Sequence, residues 1–354
     1  MNQRKAIITG VLGQDGSYLA EILLKNNYQV LGIDIKSDSY IKYPFLQSPQ
    51  FKFQRLDTTN QKEIHQLICD YQPDEIFHLA AQTHVGQSFI VPIETFQSIY
   101  FSTFYILEAI KSLRHTKNIR FLHPSSSEMF GNQAQQVLNI HSAFQPCSPY
   151  AIAKVSAHHL VKMYRENDGL FATNAVMFNH ESPRRGRDFV TQKIIQGLLN
   201  YQTKKIPFQL GNINTSRDWG CAQEYTLALW QLLQLNEPTD TVIATGNSQS
   251  VTKFIDTAAK LMNIQINWDF IESQGQALDR EKGNLIFQIN SSLFRPKDID
   301  YLCGSPDQLK KILNWSPQKK LEQIILEMID ANQIEHFNNK HSAVNMCRNN
   351  EIGL

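Results

Sequence analysis

No CxxC pair occurs in this 354-residue chain, and its five cysteines (Cys69, Cys147, Cys221, Cys303 and Cys347) are scattered and odd in number. That argues against a zinc ribbon or a disulfide framework and leads one to expect free thiols in a reducing compartment. The eleven histidines form no HxxxH or HExxH pattern, so no metal site is expected. Charge of one sign is also lacking. Lys and Arg total 34 against 33 Asp and Glu, for a formal net charge of +1. Neither nucleic acid nor an anionic membrane is therefore expected as a partner. No apolar run approaches the roughly 18 residues of a membrane span. The N-terminus passes straight into a strand pattern, so no secretory leader is expected. Internal repeats and charge blocks are missing too. These absences together lead to the expectation of a cytoplasmic protein.

What is present can build a core. The composition is 42% hydrophobic and 19% charged, enough for one large domain or two closely joined ones. Lys5 to Thr9 is a short apolar run suited to a buried parallel strand. It meets Gly10, Gly13 and Gly16, then a helical pattern through Lys25. Strand, glycine turn and helix form the context of a dinucleotide fingerprint, in which the backbone approaches a pyrophosphate at a helix N-terminus. The spacing here is GxxGxxG.

A second strand, 29–34, ends at Asp34, 18 residues after Gly16. A carboxylate there can accept from an adenosine ribose and would repel a 2′-phosphate, which favours NAD. Lys36 nearby could answer such a phosphate, and a turn aspartate is the plainer alternative. A third strand runs to Leu56, before Asp57 and Thr58, a plausible adenine contact. A fourth, 75–79, opens into Ala80, Ala81 and Gln82. A fifth runs into Ser125-Ser126-Ser127-Glu128. The alternation of strands and helices predicts a doubly wound, parallel, Rossmann-type α/β sheet. A smaller C-terminal α/β domain would hold substrate. The boundaries expected are 1–178 with 241–250 for the first domain and 179–240 with 251–335 for the second. A loose tail is expected over 336–354.

Tyr150 and Lys154 are four residues apart, which puts them on one face of a helix opened by Pro149. An ammonium beside a phenol favours phenolate, lowering a pKa that is ordinarily about 10. That would make Tyr150 a candidate proton acceptor for a sugar hydroxyl, where an exposed helical tyrosine and lysine is the plainer reading of the pair alone. Glu128 is a second acid/base. Arg184 and Arg185, in a Pro/Gly loop beyond a strand, suit a diphosphate clamp or a solvated turn.

The glycine turn, the Ser-Glu strand end and YxxxK together resemble extended short-chain dehydrogenases/reductases that act on nucleotide sugars. More narrowly, TGVLGQDGSYLAE (9–21), AAQTHVGQSF (80–89), SSSEMFG (125–131), SPYAIAK (148–154), NHESPRRG (179–186), LGNINTSRDWG (210–220) and FRPKDIDYLCGSP (294–306) resemble the GDP-mannose 4,6-dehydratase family. The resemblance runs from residue 5 to about 330.

It implies an enzyme that oxidises C4 of GDP-mannose, loses water across C5 and C6, and returns hydride to C6. Tyr150 would take the 4-hydroxyl proton, Lys154 would hold the nicotinamide ribose and tune Tyr150, Ser126 would bond the 4-oxygen, and Glu128 would remove the C5 proton. Gln14, Asp15, Leu79, His180 and Arg185 would join the glycines, Asp34, Asp57, Thr58 and Ala80–Gln82 around the cofactor. Ser88, Asn179, Arg184, Val190, Lys193, Arg217, Arg295 and Asp298 would hold the GDP-sugar. NADP is the family's usual cofactor, but Asp34-Ile35-Lys36 replaces its arginine pair, so NAD is expected. A homodimer or homotetramer is implied. A GDP-manno-heptose dehydratase and a nucleotide-sugar epimerase or reductase are the alternatives. Glu128 argues against the last two, since simple ketoreduction needs no carbon base.

Overall fold

The computed structural model describes residues 3–37, 43–134, 136–271 and 274–334. The expected tail over 336–354 lies outside them. Two compact units divide the chain. The first comprises Met1–His180, Ser216–Ser248 and Arg295–Gln318; the second comprises Glu181–Thr215, Gln249–Phe294 and Lys319–Leu354.

The first unit is built on a seven-stranded sheet in the order Thr241–Ile243, Ala172–Met177, Arg120–Ser126, Glu75–His78, Lys5–Thr9, Gln29–Asp34, Phe51–Arg55. Every pairing in it is parallel. The strands are near-continuous apolar runs because helices cover both faces. On one face Ile7, Ile33, Ile76 and Phe121 pack with Ile106, Ile110 and Val161 from helices Ser102–Leu113 and Pro149–Asp168. On the other, Ile8, Val30, Phe77 and Leu122 pack with Leu19 and Leu23 of helix Gln14–Lys25. Strand order reverses between Lys5–Thr9 and Glu75–His78. In such folds that point, at the carboxyl ends of the strands, is where ligands gather.

The units are bounded differently from the motif pattern. Residues 216–240 and 295–318 belong to the first unit. The reason is burial: Tyr225, Ala228, Leu229, Leu232 and Leu233, with Leu309 and Trp315, share the cluster that holds Leu19 and Leu23.

The second unit carries a four-stranded sheet, Ile266–Ile271, Gln274–Asp279, Leu285–Ile289 and Phe208–Leu210. Its helices are Val190–Lys204 and Val251–Leu261, and residues 321–334 are also helical. Among the described residues no helix is long and apolar enough to cross a membrane.

Candidate active site

Gly10 has φ +70° and leans on the neighbouring strand end. A Cβ there would stand 2.9 Å from the Ala80 amide nitrogen, and one on Gly16 would stand 2.3 Å from the Gly10 carbonyl oxygen. Neither position accepts a side chain without moving backbone. Gly13 heads helix Gln14–Lys25 with extended backbone and no side-chain cap. A turn this bare, feeding a helix N-terminus, fits a pyrophosphate.

The buried Asp34 carboxylate folds back on this turn. It accepts from the Leu12 amide at 3.2 Å and the Lys36 amide at 3.1 Å. The Arg55 Nε donates to the Ile35 carbonyl at 2.9 Å. Gln14 Nε2 donates to the His180 carbonyl at 3.1 Å, and His180 Nε2 lies 2.9 Å from Asp15 Oδ2. Gln14, Asp15 and His180 therefore meet at the head of the helix. Asp57 is exposed and accepts from Thr59, while Thr58 is buried.

Ser126 ends strand Arg120–Ser126, and its Oγ accepts the Glu128 N–H at 3.2 Å, heading the short 3₁₀ turn Ser127–Phe130. Helix Pro149–Asp168 starts for legible reasons. Ser148 Oγ takes the Ala151 N–H at 3.1 Å, and Pro149 fills the first position. The helix packs on strand Arg120–Ser126 and on the Glu128 turn. It presents Tyr150, 7% exposed, and Lys154, 4% exposed. Lys154 Nζ donates to the Pro124 carbonyl at 2.7 Å and lies 5.9 Å from the Tyr150 ring centre. Burial pushes the Lys154 pKa down to about 7.

Beside Glu128 lies a cationic pair. Arg217 is buried, donates to the Ile299 carbonyl at 2.7 Å, and stands 3.2 Å from Asp298 Oδ1. Arg295 Nη1 stands 3.5 Å from that same oxygen and 4.0 Å from Glu128 Oε1. Burial pushes the Arg217 pKa down, against the opposing pull of the Glu128 and Asp298 carboxylates. Glu128, Arg217, Arg295 and Asp298 are thus brought together in one unit. Ser88 is buried and donates to the Val85 carbonyl at 2.6 Å, and Asn179 opens the short strand Asn179–Glu181.

Arg184, Arg185, Val190 and Lys193 lie in the second unit. Arg185 stacks on Phe189 at 3.7 Å and lies 3.3 Å from the buried Glu181 carboxylate, which accepts from Thr191 Oγ1 at 2.6 Å. Val190 and Lys193 occupy the first turn of helix Val190–Lys204.

A family model described as GDP-mannose 4,6 dehydratase matches residues 7–328. The chain belongs to the GDP-mannose 4,6-dehydratase family. A GDP-mannose 4,6-dehydratase of Vibrio cholerae serotype O1 is 38% identical, with 93% of each chain covered. Solved structures with the same fold include dTDP-glucose 4,6-dehydratase from Bacillus anthracis in complex with NAD, at TM-score 0.76 and 17% identity, covering 93% of this chain and 96% of that one. RMD from Pseudomonas aeruginosa, complexed with NADPH, gives TM-score 0.72 and 20% identity, covering 93% and 98%. For this GDP-mannose 4,6-dehydratase family member, the matched span takes in every candidate site residue from Gly10 to Asp298.

Proposed function

We propose that this chain converts GDP-mannose to GDP-4-keto-6-deoxymannose, as a GDP-mannose 4,6-dehydratase. The observation that carries the assignment of residues is the packing of the Tyr150–Lys154 helix on the strand and turn that bear Ser126 and Glu128. One site then holds a base for an alcohol and a base for a carbon acid.

When bound, a nicotinamide cofactor takes hydride from sugar C4 and gives it back at C6, so none is consumed. Tyr150 removes the 4-hydroxyl proton, and the ammonium of Lys154, anchored on Pro124, stabilises the phenolate. Ser126 Oγ already accepts the Glu128 amide, so its own hydrogen is available to the 4-oxygen. A ketone at C4 acidifies C5. Glu128 removes that proton and gives it to the departing 6-hydroxyl, which leaves as water. Tyr150 releases its proton to solvent, and C5 is reprotonated through Glu128 after exchange. Arg217 and Arg295, steered by Asp298, offer positive charge to the diphosphate.

NAD is the cofactor this reading favours. It is supported by the buried Asp34 carboxylate at the strand end, which would repel a 2′-phosphate. Self-association is part of the same reading, as a homodimer or homotetramer, supported by Ile90 at 73% and Ile93 at 70% exposure. Sedimentation of the purified chain tests it; a monomer throughout would refute it.

The activity is tested by incubating purified protein, cofactor and GDP-mannose, and following the sugar by proton NMR. A new C6 methyl signal with loss of the C4 proton is expected. Unchanged GDP-mannose, or simple epimerisation at C4, would overturn the assignment.

A further inference from the structure

A side-chain bond across the reversal point of the sheet is made by a histidine. Thr9 and His78 are register partners at the ends of adjacent strands. Thr9 Oγ1 lies 2.8 Å from His78 Nδ1, and His78 Nε2 lies 2.9 Å from Ser102 Oγ. The direction of this chain is fixed by its far end. Ser102 Oγ sits 2.6 Å from the Ser98 carbonyl, which can only accept, so the serine hydrogen is spent there. Ser102 must then accept from His78 Nε2–H. Nδ1 is bare and accepts from the Thr9 hydroxyl, and Thr9 Oγ1 in turn accepts the Ala80 N–H at 3.0 Å. The imidazole is 2% exposed, and burial, with the nearby Lys154 charge, pushes its pKa down to about 3, so it stays neutral.

A second tie runs parallel to this one. The Gln82 N–H donates to Ser98 Oγ at 3.1 Å, and that hydroxyl donates to the Thr95 carbonyl at 3.1 Å. Ser98 lies in a π-helical turn, Gln97–Phe101, between helices Pro92–Phe96 and Ser102–Leu113. Such turns recur at functional sites.

In a planar trans peptide, N–H and C=O point in opposite directions. Tying the Ala80 N–H to Thr9 therefore points the Leu79 carbonyl away from Thr9, and tying the Gln82 N–H to Ser98 points the Ala81 carbonyl away from Ser98. We infer that His78 is a positioning residue: through Thr9 it aims the Leu79 carbonyl, an acceptor for the hydroxyls of the nicotinamide cofactor's ribose. The inference rests on the reading that Gly10 and Leu79–Gln82 line the cofactor cleft. It adds a residue that touches neither cofactor nor sugar.

The test is cofactor binding to the full chain, measured by titration calorimetry with no sugar present. Thr9→Val removes the hydroxyl at nearly constant shape, and Thr9→Ser keeps it. His78→Leu breaks both links. His78→Asn keeps an oxygen that can accept from Thr9. Thr9→Val and His78→Leu are expected to raise the cofactor dissociation constant by about tenfold or more, the worth of one well-placed hydrogen bond. Thr9→Ser and His78→Asn are expected to stay within about threefold of the parent, by the same scale. Equal losses in Thr9→Val and Thr9→Ser, or parent-like binding in Thr9→Val, would overturn the inference. If His78→Leu does not fold, the two threonine variants test the Thr9 link, and His78→Asn tests the histidine: binding weakened well beyond threefold there, with Thr9→Ser parent-like, would overturn the inference. Gly10→Ala separates the underlying reading, because its Cβ must press on Ala80. Parent-like binding there defeats the cleft assignment and the inference together. Loss in Gly10→Ala with none in Thr9→Val defeats the inference alone.

Discussion

The Lys154 ammonium donates to the Pro124 carbonyl at 2.7 Å while lying 5.9 Å from the centre of the Tyr150 ring. One backbone acceptor thus holds a buried cation beneath the phenol. Removing the phenol hydroxyl should remove the alcohol base and little else. Tyr150→Phe is expected to lower kcat by about 10²- to 10⁴-fold with GDP-mannose affinity kept within a few-fold. Steady-state kinetics with direct binding of GDP-mannose checks this, and a change confined to KM would contradict it.

The same lysine makes a stability prediction. Its pKa falls from an ordinary 10.5 to about 7 on folding. A depressed folded pKa means that the unfolded chain holds the proton more tightly. The contribution is present in full above pH 10.5, and is lost as pH falls toward about 7. Denaturant unfolding of the parent and Lys154→Met, run across that window, should show the variant gaining on the parent as pH falls. Parallel curves would contradict it.

Glu75 lies at the opposite end of the sheet and gives a control away from the chemistry. Arg4, Tyr28 and Gln234 all donate to its Oε1, while the buried Oε2 has no partner among the described residues. Burial raises its pKa above the ordinary carboxylate range. Its protonated form is favoured on folding, so its stability contribution is present in acid and is lost as pH rises through the folded value. Glu75→Gln should therefore gain on the parent in melting temperature between acid and neutral pH, with activity unchanged. A melting-temperature difference independent of pH would contradict this.

Much of this was legible in the sequence because it is local. The glycine turn, Asp34 at a strand end, Ser126 before Glu128, and Tyr150 one helical turn before Lys154 are fixed by short spacings and by the parallel sheet they imply. The helix over 321–334 was not foreseen, nor the grouping of 216–240 with the first unit. That grouping depends on Leu229 and Leu232 meeting Leu19 and Leu23, some two hundred residues away, which no local period reveals. The Arg217–Asp298 pairing is long-range in the same way. In the sequence, His78 is one residue of the strand pattern 75–79 and nothing local marks its partners. The available signal was a polar ring inside a fully buried run, which demands partners.

Asp34 decides cofactor choice in this account. Asp34→Ser removes the repulsion of a 2′-phosphate, while Lys36 and Arg55 stay close by. The parent is expected to bind NAD more tightly than NADP, and the variant to narrow that ratio by about tenfold, as for loss of one close charge. Paired dissociation constants measure it. Tighter NADP binding by the parent would contradict the assignment.

The division of labour between Tyr150 and Glu128 is tested most directly at sugar carbon 5. In D₂O, the parent enzyme should turn GDP-mannose into 4-keto-6-deoxy product carrying deuterium at C5, and Glu128→Gln should form almost none while still binding GDP-mannose. Product formed by Glu128→Gln at the parent's rate, with deuterium at C5, would show that another group takes that proton and would contradict the account.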